Sequence, residues 1–141
     1  MGKRTRWAAF VAFALFIAAV VAVADLGQGD RFWGFLHGIP LGDKLGHLGL
    51  FGLLAVFANL ATRGHAYRAG SLRIAKGSVW VFAAALVEEC SQALIPARSF
   101  DLVDLATDLV AVCLAGLLVW PHPAARTACG SPTRIDTHKG G

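Results

Sequence analysis

Charge is scarce in this sequence. Only 16% of its 141 residues are Asp, Glu, Lys or Arg, where a soluble domain carries roughly 25%. Cysteine is scarce too. Cys90, Cys113 and Cys129 show neither metal-ligand spacing nor an obvious pair, which excludes a disulfide framework and a cysteine-based metal site. Cys90 and Cys113 fall inside apolar runs, where cysteine behaves as a small hydrophobe. There is no internal repeat and no low-complexity block, so a solenoid is excluded. A transporter built on inverted repeats with a broken spanning helix is a poor fit for the same reason. No calcium-loop motif occurs, and no nucleophile stands beside a base at motif spacing. Ser99, next to Arg98, is the lone serine of its loop and by itself a weak signal.

What is abundant is apolar. Hydrophobic residues make up 56% of the chain, with a mean hydropathy of +0.59. Residues 7–24, WAAFVAFALFIAAVVAVA, run without a charge or strong turn former, and about 20 such residues span a bilayer core as a helix. Three further candidates cover residues 44–61, 77–95 and 102–120. The expected fold is all-α: an integral membrane bundle of four transmembrane helices in one domain, 1–120. A polar, disordered tail from 121 to 141 would follow.

The net charge of +4 does not point to nucleic acid, because of where the charges fall. Lys3, Arg4, Arg6, Arg63, Arg68, Arg73, Lys76, Arg126, Arg134 and Lys139 occupy one set of segments, and Arg31, Lys44 and Arg98 the other. Cytoplasmic segments of membrane proteins carry such an excess of Lys and Arg. Both termini are therefore expected in the cytoplasm and the protein in the cell membrane as a multi-pass chain. Trp7, Trp80 and Trp120 fall at cytoplasmic helix ends, as an interfacial belt would place them, and the basic 62–76 loop would meet anionic lipid head groups. The start of the chain also resembles a signal peptide, with Ala22-Val23-Ala24 before Asp25. The apolar run exceeds the roughly 7–15 residues of a signal core, which favours a retained first helix. In the first loop, Phe32, Trp33, Phe35 and Leu36 would either dip into the outer interface or cap the bundle.

The acids are as asymmetric as the bases. All except Asp136 fall outside or in the outer half of the expected helices. Residues three or four apart share a helix face. Asp43 and His47 are so spaced, as are Glu89 and Gln92, and Asp101, Asp104 and Asp108 continue the pattern on the last helix. A charge at the centre of a membrane helix costs roughly 2.5–3.5 kcal/mol on insertion scales. These groups should therefore face one another across the bundle, with Lys44 and Arg98 as counter-charge. The result is a polar pocket open to the extracytoplasmic side. Gly42, Gly46 and Gly49 form a stripe expected to let neighbouring helices approach.

Asp43-Lys44-x-x-His47 followed by Phe51, Glu89-x-x-Gln92, Pro96-x-Arg98 and Asp104 at the start of the last helix together resemble the VanZ-like family. The match covers roughly residues 43 to 115. The resemblance implies a small polytopic membrane protein of the cell envelope, the family being named for a member linked to reduced teicoplanin susceptibility. The chain departs from the family in two places. It has Asp108 where asparagine usually follows the helix-four aspartate, and Ala111 where glycine is frequent. Between the adjacent acids, Glu89 rather than Glu88 fits the family spacing and shares a face with Gln92.

Three readings of the pocket follow. In the first, Asp43, Lys44, His47, Glu89, Gln92, Arg98, Asp101, Asp104 and Asp108 bind or act on the head group of an anionic lipid or wall precursor. Arg98 would grip phosphate or carboxylate through its planar fork, with Lys44 adding a second positive charge. His47, Glu89 and Asp104 would be the candidates for proton transfer, with Asp43 or Asp104 orienting the imidazole. In the second, the same residues only fix helix packing and the protein works through partners. In the third, Asp43, Glu89, Asp104 and Asp108 hold calcium or magnesium, although no loop motif supports this. No cofactor and no nucleic acid is expected. Membrane lipids are the expected partners, and a homo-oligomer stays open.

Overall fold

The computed structural model describes residues 1–29, 31, 34, 39, 41–95 and 100–119. Four helices account for most of them: α1 (Lys3–Asp25), α2 (Gly42–Ala61), α3 (Lys76–Gln92) and α4 (Leu102–Leu118). The expected tail, Trp120 and the aromatic stretch of the first loop lie outside the described residues.

Contacts between named residues give the arrangement. Phe13 of α1 meets Phe57 of α2. Asn59 of α2 bonds Ser78 of α3, and Lys44 of α2 bonds Asp101 at the start of α4. Thus α1 and α3 run one way and α2 and α4 the other. Helix α2 is the hub, packing on all three others, whereas α1 packs chiefly on α2.

The 62–76 segment is not a plain loop. Ala66–Ala69 (β1) and Leu72–Ala75 (β2) pair antiparallel, with Ala69 opposite Leu72. The turn is therefore Gly70-Ser71, and Gly70 takes the positive φ of 61° that two-residue hairpin turns favour. That glycine was the one readable hairpin signal. Strand β2 then runs directly into α3.

Small and polar residues fill much of the interior, beside Ile17, Phe51, Leu54, Val81 and Val112, and large apolar ones cover much of the exterior. Ala55, Ala58, Ala85, Ala111 and Ala115 are buried, and the largest fully buried side chains are Glu89, Asn59 and Asp108. Leu53, Leu60, Leu86, Val87, Leu109, Val110, Leu114, Leu117 and Leu118 are exposed. Water-soluble domains sort these residue types the other way. Helices α1 and α2 are long and apolar enough to cross a membrane. Cys90 and Cys113 lie on the exposed surface.

Glycine works differently from the expectation. A Cβ at Gly46 or Gly49 would meet nothing within 4 Å, so those two are not a helix contact, although Gly42 is buried. The close approaches are elsewhere. A Cβ on Gly77 would overlap Asn59 and the Ala58 backbone, one on Gly116 would lie 3.2 Å from Ser78 Oγ, and one on Gly52 would lie 3.5 Å from Ala111. Period along one helix cannot show which face has a neighbour.

Candidate functional site

The start of α2, the end of α3 and the start of α4 meet at one end of the bundle, called here the carboxylate end. Asp101 is the N-cap of α4, its carboxylate accepting from the Val103 N–H at 2.8 Å. That cap fixes where α4 begins, and the helical repeat then brings Asp104 and Asp108 to the interior, where both are buried. Lys44, in the first turn of α2, extends across to them. Its Nζ donates to Asp101 Oδ2 at 2.7 Å and pairs with Asp104 Oδ1; Asp43 Oδ2 is 3.4 Å away. Asp43 stands at the rim, its side chain 67% exposed.

One turn deeper, His47 Nδ1 lies 3.2 Å from Asp108 Oδ2 and 3.3 Å from Oδ1, so it donates to that carboxylate. Nε2 is 4.0 Å from Asp104. The ring stacks on Phe51 with centroids 5.7 Å apart. Asp108 therefore orients the imidazole through Nδ1, in place of the expected Asp43 or Asp104. The relative position of α2 and α4 leaves Asp104 near Nε2 only and puts Asp108, one turn further along α4, against Nδ1.

Glu89 is fully buried and accepts from the Asp101 backbone N–H, joining α3 to the cap of α4. Gln92 Nε2 donates to Glu88 Oε1 at 2.7 Å and lies 3.4 Å from Glu89 Oε2. Glu89 is the fully buried one of the two acids and reaches the α4 cap, while Glu88 meets Gln92. The Lys44 ammonium beside Asp101 holds that carboxyl below its ordinary range, helped by the Val103 N–H. Arg98, Ser99 and Pro96 lie outside the described residues. Of the nine expected site residues, Asp43, Lys44, His47, Glu89, Gln92, Asp101, Asp104 and Asp108 are brought together. Among the described residues, no group of three or more His, Cys, Asp or Glu is arranged to hold a metal ion.

Sequence reasoning missed a second polar centre at the opposite end. Asn59 is fully buried. Its Nδ2 donates to Ser78 Oγ at 3.0 Å, its Oδ1 accepts from the Ser78 N–H at 3.0 Å, and Ser78 Oγ donates to the Val112 carbonyl at 2.7 Å. These bonds tie α2, α3 and α4 together. The available signal was a lone asparagine in the apolar run LLAVFANLA, since a polar group there needs a partner.

No family model, curated protein or solved structure matches the chain.

Chemically, the carboxylate end offers a histidine held by one carboxylate and near another, a lysine neutralised by acids, and a buried glutamate. The described acids Asp43, Glu89, Asp101, Asp104 and Asp108 outnumber the basic groups Lys44 and His47. Such a surface accepts hydrogen bonds from hydroxyl or ammonium donors and can move a proton, and among its described members it offers no free cation to an anion.

Proposed function

We propose that the chain is a multi-pass cell-membrane protein of the VanZ-like type, with four spanning helices and both termini in the cytoplasm. Its carboxylate end, facing outward, binds the polar head group of an anionic lipid or cell-wall precursor. The observation that carries this reading is the convergence of eight polar side chains from three helices at one end of a bundle whose exterior is leucine and valine. Four spans agree with that exterior, because lipid replaces the water that would otherwise meet it.

Lys44 is engaged by carboxylates, so the anionic part of a head group falls to Arg98, whose fork of donors suits phosphate or carboxylate. The excess of carboxylates around Lys44 then selects head groups that also carry hydroxyl or ammonium donors. His47, held by Asp108, would exchange a proton with such a group through Nε2. A link to teicoplanin susceptibility belongs to this proposal through the family resemblance alone.

A second reading has its own observation. Lys44, His47 and Glu89 each have an internal partner, as in a network that only fixes helix packing. Lipids co-purifying with the wild type and Arg98→Ala, quantified by mass spectrometry alongside thermal midpoints, separate the two. Loss of a bound lipid or precursor with an unchanged midpoint is the expected result. An unchanged lipid profile with a clear fall in midpoint would sink the binding reading and favour the network.

A further inference from the structure

The end of the bundle opposite the carboxylates holds a cleft of about 400 Å³, lined by Arg6, Asn59, Leu60, Arg63, Gly64 and Val119. It lies between the start of α1, the end of α2 and the end of α4. Two guanidinium groups line it and no acid does.

Two further observations concern those arginines. The Arg6 Nε is shut off from solvent and has no acceptor among the described residues. A buried donor without an acceptor is rare in folded proteins and calls for one. Arg63 has a φ of 56°, and the bonds around it identify the motif: the Gly64 N–H returns to the Asn59 carbonyl at 2.8 Å and the Arg63 N–H to the Leu60 carbonyl at 3.2 Å. This is the Schellman ending, and Arg63 occupies its left-handed position, where glycine is the usual residue. A side chain with a Cβ costs roughly 1–2 kcal/mol in that region. Strain kept at one residue is a mark of a functional position when a site adjoins it, and here the strained residue is one of the two cations lining the cleft.

We infer that this cleft is a phosphate site, in which Arg6 and Arg63 hold the phosphate of an anionic phospholipid head group, with Leu60 and Val119 against the adjoining glycerol and upper chains. The volume lies within the roughly 300–1,000 Å³ of small-ligand sites, and basic pockets between membrane helices on the cytoplasmic side suit such head groups. Its leaflet rests on the orientation proposed above, which would make it the cytoplasmic one; its chemistry does not.

The test titrates full-length protein, in an uncharged detergent, with dihexanoyl-phosphatidylglycerol, dihexanoyl-phosphatidylcholine and inorganic phosphate. Binding is read by native mass spectrometry and by thermal midpoint. Phosphatidylglycerol should bind and raise the midpoint while phosphatidylcholine does neither. Arg63→Gly should keep or raise the unliganded midpoint, because glycine relieves the strain, and should bind about ten- to a hundredfold more weakly, as loss of a charge-assisted bond implies. Arg6→Gln should weaken binding similarly, and Arg98→Ala should lose only lipid held at the carboxylate end while keeping the lipid whose binding depends on Arg6 and Arg63, which separates the two sites. Binding of inorganic phosphate as tightly as the lipid would support the phosphate site and make its source a soluble one. Equal binding of phosphatidylcholine, or full affinity in Arg63→Gly and Arg6→Gln, would overturn the proposal.

Discussion

At the carboxylate end Lys44 is drawn to Asp43, Asp101 and Asp104 while His47 is held by Asp108; at the opposite end Asn59 and Ser78 close a neutral ring of bonds onto the Val112 carbonyl. Both centres tie α2 to α4 and involve α3. The neutral one does so by satisfying each donor with an acceptor, at no cost in net charge. The charged one leaves acids in excess, which the interior of a bundle tolerates poorly. If joining helices were the whole task, an amide and a hydroxyl would suffice, as they do at the other end of the same helices. The contrast assigns packing to Asn59 and Ser78 and leaves the carboxylates to be explained by something else.

The most damaging way to test the packing assignment is Gly77→Ala. Alanine has the better helix propensity by about 1 kcal/mol, yet its Cβ would overlap Asn59 and the Ala58 backbone. Overpacking of this kind costs about 1–3 kcal/mol and more where backbone must move. We expect a loss at the top of that range or failure to fold, measured by thermal or denaturant unfolding in a fixed detergent. A midpoint at or above wild type would show that α2 and α3 do not approach there.

Asn59→Ala should come next. It leaves the Ser78 N–H without its acceptor, costing about 1–3 kcal/mol. Ser78→Ala removes the hydroxyl that Asn59 donates to, and the double variant should lose less than the sum of the two. Strict additivity in that cycle would mean the pair is not coupled.

The counterpart at the carboxylate end is Glu89→Gln, which keeps shape and can still accept the Asp101 N–H. If the charge is retained for a ligand at a cost in stability, the midpoint should stay or rise, by up to about 2 kcal/mol. A clear fall would make the two ends alike and the contrast between them empty.

The sequence made the carboxylate end legible because charge inside an apolar run has few explanations, and because i, i+3 and i+4 spacing turns positions into faces. The number and order of the helices followed from hydropathy and short loops, while their ends did not: the first begins at Lys3 rather than residue 7 and the third ends at Gln92 rather than residue 95. What it did not reveal were facts that need two elements at once. That Asp108 rather than Asp104 meets Nδ1 of His47 depends on the relative translation of α2 and α4. That Gly77, Gly116 and Gly52 make the close contacts while Gly46 and Gly49 face open space depends on which neighbours exist. Asn59 and Ser78 are single polar residues on different helices, and neither carries a period that would announce the other. The hairpin escaped because two four-residue strands give a weak signal, with only the glycine of the Gly70-Ser71 turn to mark it.

The smallest expected effect belongs to Asp101, where the charged end meets solvent. Its carboxylate does two things, capping α4 through the Val103 N–H and pairing with Lys44 at 2.7 Å. Asn is also a good N-cap, so Asp101→Asn keeps the first and removes the second. Because Lys44 lowers the Asp101 pKa in the folded chain, the pair contributes stability that is fully present above the ordinary carboxylate value. That stability is lost as pH falls through the lower, folded value. Wild type should therefore lie slightly above Asp101→Asn in thermal midpoint at neutral pH, with the gap closing as pH falls below the ordinary carboxylate range and through the lower, folded value. The gap should also narrow with added salt, since Asp101 is accessible to screening ions. A gap that is constant across this range would mean that Lys44 takes its stabilisation from Asp104 alone, and that the charged end is sealed beneath Asp101 rather than extended to the surface by it.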